Sequence, residues 1–76
     1  MEDRQQISIR TKEIPLSSFL KWAGIAENGA FAKNLCREGS ILLNGSPCTM
    51  PGKKIRPGDL VTVGFTTFEV TEAEEE

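Results

Sequence analysis

The chain has 76 residues, a hydrophobic fraction of 38% and five aromatics, four Phe and one Trp. That suffices for one modest core, which seldom yields more than about 3–5 kcal/mol of net stability and leaves little room for a second core around an enzyme cleft. With no histidine and two cysteines, a four-ligand zinc site is short of ligands, and no apolar run approaches the ~18 residues of a membrane span.

The formal net charge of −2 hides a division along the chain. Glu2 and Asp3 open it, and "TEAEEE" at 71–76 carries four glutamates. Residues 4–70 hold all nine Lys and Arg against five acids, a net +4. The ends have the composition of solvated tails. A single domain over 1–70 and a flexible acidic tail over 71–76 are therefore expected. A binding surface answers to its local field, not to the bulk charge.

"QQISIR" (5–10) alternates, with Ile7 and Ile9 on one side, and predicts a short strand. Pro15 suits the start of a helix, where its missing N–H needs no partner. Leu16, Phe19, Leu20 and Ala23 then follow the i, i+3, i+4, i+7 stripe of a buried helix face. Gly24 stands where a left-handed C-cap is wanted. Asn28 is placed to cap a second helix through its side-chain oxygen. On that helix Phe31, Ala32, Leu35 and Cys36 form the apolar face, and Ala30, Lys33, Asn34 and Arg37 the other. Gly39 is its C-cap candidate. Two helices joined by a few residues should pack as a hairpin.

After Gly39 the pattern becomes β. "SILL" is a strand, and Asn44-Gly45 is a strong hairpin signal. "PCTMPGKKIRPGD" is turn-rich and holds Lys53, Lys54 and Arg56. "LVTV" and "TFEV" are strands separated by a turn at Gly64. The expected fold is α+β, with two packed helices against a small, mostly antiparallel sheet.

Catalytic signals are sparse. The usual neutral-pH proton shuttle is missing, because there is no His. No glycine-rich phosphate loop has the required spacing. Ser17, Ser18, Ser40 and Ser46 have no base placed by motif. Asp59, in "RPGDLV", reads as a turn residue bonding nearby backbone N–H groups. Cys36 and Cys48 read as reduced, partly buried thiols, and no basic leader with an apolar run and cleavage site opens the chain, so a cytoplasmic protein is expected.

The basic residues say more. Lys33 and Arg37 are i, i+4 neighbours on one helix face, and Lys53, Lys54 and Arg56 form a second group. Within 33–56 these five cations are opposed by Glu38 alone. Any one of them can be plain solubilising surface; together they point to a polyanion. Trp22 lies off the apolar stripe and is either a stacking platform or, as is commoner for Trp, packed against a loop or strand. Phe65 carries the same ambiguity. Phe19, Phe31 and Phe68 fit core positions.

The stretch from Leu16 to Val63 resembles the S4-like RNA-binding domain, with its alpha-L motif. The pattern is Leu16 with Phe19-Leu20; Gly24-Ile25; Ala32-Lys33 with Leu35; Gly39; a strand entering "LNG" at 43–45; and a basic turn leading to Gly58-Asp59-Leu60-Val61. The whole chain resembles the short bacterial proteins of this family that add an N-terminal strand. One departure is Asn28-Gly29, where the family often has Ser-Arg with the arginine aimed at RNA. The resemblance implies that "KNLCREGSILLNG" (33–45) is an RNA-facing ridge. It implies an RNA-binding set of Lys33, Asn34, Arg37, Lys53, Lys54 and Arg56, with Lys21 on the first helix. It also implies a non-enzymatic module for structured ribosomal or transfer RNA, acting on the ribosome or in translation, monomeric, with no cofactor, metal or membrane. The alternative is a protein-interaction adaptor that kept the fold, favoured by the net charge, the acidic tail and Gly29.

Overall fold

The computed structural model describes residues 3–73. Its elements in chain order are β1 (Asp3–Ile9), β2 (Ile14–Pro15), α1 (Leu16–Trp22), α2 (Gly29–Arg37), β3 (Ile41–Leu43), β4 (Ser46–Pro47), β5 (Lys54–Ile55), β6 (Leu60–Val63) and β7 (Thr66–Glu72). A five-stranded sheet runs in the order β1-β7-β6-β3-β4, and β2 with β5 forms a separate two-stranded ribbon.

Alternation sorts the sheet residues onto two faces. Val61 pairs with Phe68 and with Leu43, Ile41 with Val63, and Ile7 with Val70, so these apolar side chains share one face. The helices cover that face. Leu16, Phe19 and Leu20 of α1 and Ala32 and Cys36 of α2 join Ile9, Ile41, Ile55, Val61, Phe68 and Val70 in one buried core.

The antiparallel expectation holds for three of the four pairings in the main sheet. The exception is the longest ladder: β1 runs parallel to β7, from Asp3 opposite Thr66 to Ile9 opposite Glu72. The same ladder carries the sheet into the expected tail. Strand β7 continues through Thr71 and Glu72, and the Ala73 N–H donates to the Ile9 carbonyl at 3.0 Å, so the domain extends past residue 70. The rest of the expected acidic tail, 74–76, lies outside the described residues.

Helix α1 begins one residue after Pro15, whose φ of −61° and ψ of 145° are extended and whose side chain caps nothing. The early N–H groups of α1 instead find loop carbonyls: Leu16 donates to Lys53 at 2.8 Å and Ser17 to Pro51 at 3.0 Å. Gly24 ends the helix with φ of +79°. Helix α2 opens as the sequence predicts, with Asn28 Oδ1 accepting the Phe31 N–H at 2.8 Å.

Trp22 is 57% exposed, yet it has a partner. Its indole N–H donates to the Ser8 carbonyl at 2.8 Å. Because Ile9 turns its carbonyl toward β7, the neighbouring Ser8 carbonyl points out of the sheet edge. The indole satisfies that edge group and helps to guard an otherwise open strand. The ring of Trp22 is thus open to solvent, while its polar end is anchored to a strand.

Asn44 and Gly45 have φ of +52° and +87°, the positive pair that a type I′ hairpin requires. A Cβ on Gly45 would meet nothing within 4 Å, so a substitution there is opposed by backbone conformation alone. Gly45→Val is expected to cost about 1–3 kcal/mol. A thermal melt overlaying that of the wild type would show that the turn does not need this geometry.

Candidate nucleic-acid interface

Three of the seven expected residues lie together on α2. Lys33, Asn34 and Arg37 are exposed, while Ala32 and Cys36 are buried. At about 100° per residue, Lys33 and Arg37 stand on one face with Asn34 flanking Arg37. Arg37 also lies in the last turn, where a cation suits the negative end of the helix dipole. Gly39, at φ of +77°, then turns the chain into β3.

Lys53, Lys54 and Arg56 are exposed as well, on a backbone that is pinned at several points. Lys53 accepts from the start of α1, as described above, and its own N–H donates to Met50 at 3.1 Å. Lys54 pairs with Pro15 in the β2–β5 ribbon. The Arg56 N–H donates to Asp59 Oδ2 at 2.9 Å. The cationic side chains of this loop therefore project from a fixed track.

Lys21 is exposed in the last turn of α1. It sits five residues beyond Leu16, about 8 Å along the helix axis from the end that Lys53 caps. The fold keeps Lys21 and the 53–56 loop at opposite ends of α1.

The two most distinctive short motifs touch. Asn44 Oδ1 accepts the Leu60 N–H at 2.9 Å, its Nδ2 donates to Asp59 Oδ1 at 3.2 Å, and its backbone N–H donates to the Leu60 carbonyl at 2.7 Å. Asp59 takes the Arg56 N–H on its other oxygen. One amide and one carboxylate thus tie the hairpin tip to the end of the basic loop. Asp59 has the turn role that the sequence suggested.

Phe31 departs from expectation. It is 47% exposed and does not belong to the core. Around the helix it lies about 100° from Ala32 and 140° from Cys36, so it falls at the margin of the buried stripe beside Asn34. Phe65 is 88% exposed at the β6–β7 turn. Phe19 and Phe68 are buried as expected.

Both thiols are free. Burial pushes the Cys36 pKa above its usual value, with a smaller contribution from Cys48, so this thiol stays protonated and unreactive. Among the described residues no cluster of three or more His, Cys, Asp or Glu could hold a metal ion, and no helix is long and apolar enough to cross a membrane.

These features define a class: a small α+β domain that presents basic side chains from a helical hairpin and from a backbone-pinned loop. Comparison with known proteins gives the family. The S4 domain model matches residues 7–71, and the chain belongs to the S4 domain family. It is 40% identical over 65 residues to the probable ribosome maturation protein RlbA of Bacillus subtilis, covering 84% of this chain and 92% of that one. It is 30% identical over 50 residues to the RQC P-site tRNA stabilizing factor of Helicobacter pylori, covering 66% of this chain and 58% of that protein. Heat shock protein 15 of Vibrio cholerae, solved as a trimer, shares the fold with a TM-score of 0.71 at 20% identity, over 84% of this chain and 68% of that one.

Sequence reasoning missed the Asn44–Asp59 link and the exposure of Phe31. The helical wheel carried the signal for Phe31, since its angle from the Ala32–Cys36 line puts it at the rim. Nothing local signals the first, because its partners are 15 residues apart.

Proposed function

We propose that this chain is a non-enzymatic RNA-binding module for structured ribosomal or transfer RNA, acting in the cytoplasm in ribosome maturation or translation. The observation that carries this is the exposed Lys33, Asn34 and Arg37 face of α2 on an S4 domain. In this reading Lys53, Lys54 and Arg56 form the second wall of the same RNA site, and Lys21 extends it. Phosphate contacts supply most of the affinity, and RNA shape chooses the site, because the major groove of duplex RNA is too narrow for side chains to read. The names of the Bacillus and Helicobacter relatives support a role at the ribosome.

Sequencing of RNA crosslinked to the protein in its native cell tests the proposal. Enrichment of one rRNA or tRNA region supports it. Recovery of protein partners without RNA would replace it with the adaptor reading.

The glutamates at 74–76 should oppose binding. A like charge that came within ~10 Å of a phosphate in water, screened at 0.1 M salt, would contribute about 0.15 kcal/mol. Deleting 74–76 is expected to tighten RNA binding about twofold at that salt, with no effect at 1 M. The melt should not change, since among the described residues the sheet's backbone bonds already run to Ala73, ahead of this segment. Equal affinity at low salt would place this segment away from the site.

A further inference from the structure

Among the described residues four large hydrophobics are exposed: Trp22, Phe31, Met50 and Phe65. They are not equivalent. The polar end of Trp22 is held by Ser8, and Met50 has no π-face. Phe65 sits on a hairpin between β6 and β7 that carries none of the basic groups. Phe31 alone shares an element with the α2 cations. Its backbone is fixed, because its N–H is the one that Asn28 caps.

The arrangement around α2 sets a scale. Lys33 and Arg37 lie about 160° and 120° around the helix from Phe31, with Asn34 between. On a helix of 10–12 Å diameter that is roughly 10–17 Å of surface, which one nucleotide spans from phosphate to base only with the flexible reach of the Lys33 or Arg37 side chain added. A phosphate on Lys33 or Arg37 would leave its base over Asn34, which can donate and accept, and over the Phe31 ring. Leaving a Phe half open to water forgoes much of its burial energy. A base stacked on it would recover that energy, and such stacking contributes about 1–3 kcal/mol per base without regard to sequence.

We infer that Phe31 is a stacking platform for an unpaired base, and that the RNA bound by this face contains a loop, bulge or junction nucleotide turned out of its helix. This rests on the RNA-binding reading above and narrows the ligand from structured RNA to RNA with an extruded base. A fully paired stem would engage the cations and leave the ring unused.

The test uses the full chain with protein-free ribosomal and transfer RNA. Ultraviolet crosslinking followed by mass spectrometry of the peptides is expected to place a nucleotide adduct on Phe31, and chemical probing to find that nucleotide unpaired. Phe31→Leu keeps an apolar side chain without a π-face. It should lose the adduct and weaken binding by about 5- to 150-fold while leaving the salt slope unchanged, because stacking releases no counterions. Phe31→Tyr should retain both adduct and affinity. The inference is overturned if Phe31→Leu binds this RNA as wild type does. It is equally overturned if Phe31→Leu loses only co-sedimentation with intact ribosomes, which would make the ring a protein contact. Wild-type protein that neither binds nor crosslinks to any of this RNA would overturn the RNA-binding reading itself, and this inference with it.

Discussion

Replacing Lys33 and Arg37 together by alanine is expected to weaken RNA binding by about 25- to 60-fold at 0.1 M salt and to flatten the salt dependence by about 1.4–1.8 units. The two numbers have one origin. Each cation that neutralises a phosphate releases counterions, with a slope of roughly 0.7–0.9 per contact, and that slope over the decade between 1 M and 0.1 M salt is itself the affinity lost. The thermal melt should hardly move, because both side chains are exposed on α2. Arg4→Ala is the control. Arg4 is exposed on β1, at the opposite edge of the main sheet from the β3–β4 hairpin. If the double variant binds with wild-type affinity and slope, the cationic face of α2 is not the RNA site. If it unfolds, Lys33 and Arg37 are structural.

Asn44→Ala should have the largest effect on stability. Three losses coincide. Alanine tolerates the φ of +52° less well than asparagine does. The Leu60 N–H loses its side-chain acceptor, and Asp59 loses a donor. All of these groups are near solvent, so water recovers part of the loss. A cost of about 2–3 kcal/mol remains, equivalent to roughly 10–20 °C in Tm for a domain of this size. Asn44→Gly separates the parts, since glycine accepts the backbone angle and lacks only the amide. Asn44→Asp keeps the acceptor for Leu60 but sets a carboxylate against Asp59, so it should be less stable than wild type. An Asn44→Ala melt within a degree or two of wild type would show that the link contributes little.

Much of this fold was legible because its signals are local. Asn28 caps the next turn, Gly24 and Gly39 take left-handed angles at helix ends, and Asn44-Gly45 forms the hairpin its dipeptide announces. Each of these conformations is decided within four or five residues. What stayed hidden depends on residues far apart in the chain. The parallel pairing of β1 with β7 joins positions 63 apart, and alternation in "QQISI" says only that a strand exists, not which neighbour it takes. The β2–β5 ribbon is two residues wide on each side, too short for any periodicity to register. The basic residues of the site were visible by composition. Their fixed presentation was not, because the loop of Lys53, Lys54 and Arg56 is held by carbonyls serving α1 and by a carboxylate shared with Asn44. Phe31 was misread because counting apolar residues every three or four positions widens the buried stripe by one residue at its edge.

The parallel β1–β7 ladder has a mechanical consequence. A force applied at residues 3 and 73 pulls β1 toward its Thr66 end and β7 toward its Ile9 end, in opposite directions along the ladder. The slanted, evenly spaced bonds of a parallel pair then carry the load together in shear, and none can open before the others. An antiparallel closing strand loaded in the same way would unzip one bond at a time. Held between these two ends, the domain should resist extension far better than its small core suggests, and should yield in a single step when β1 slides free.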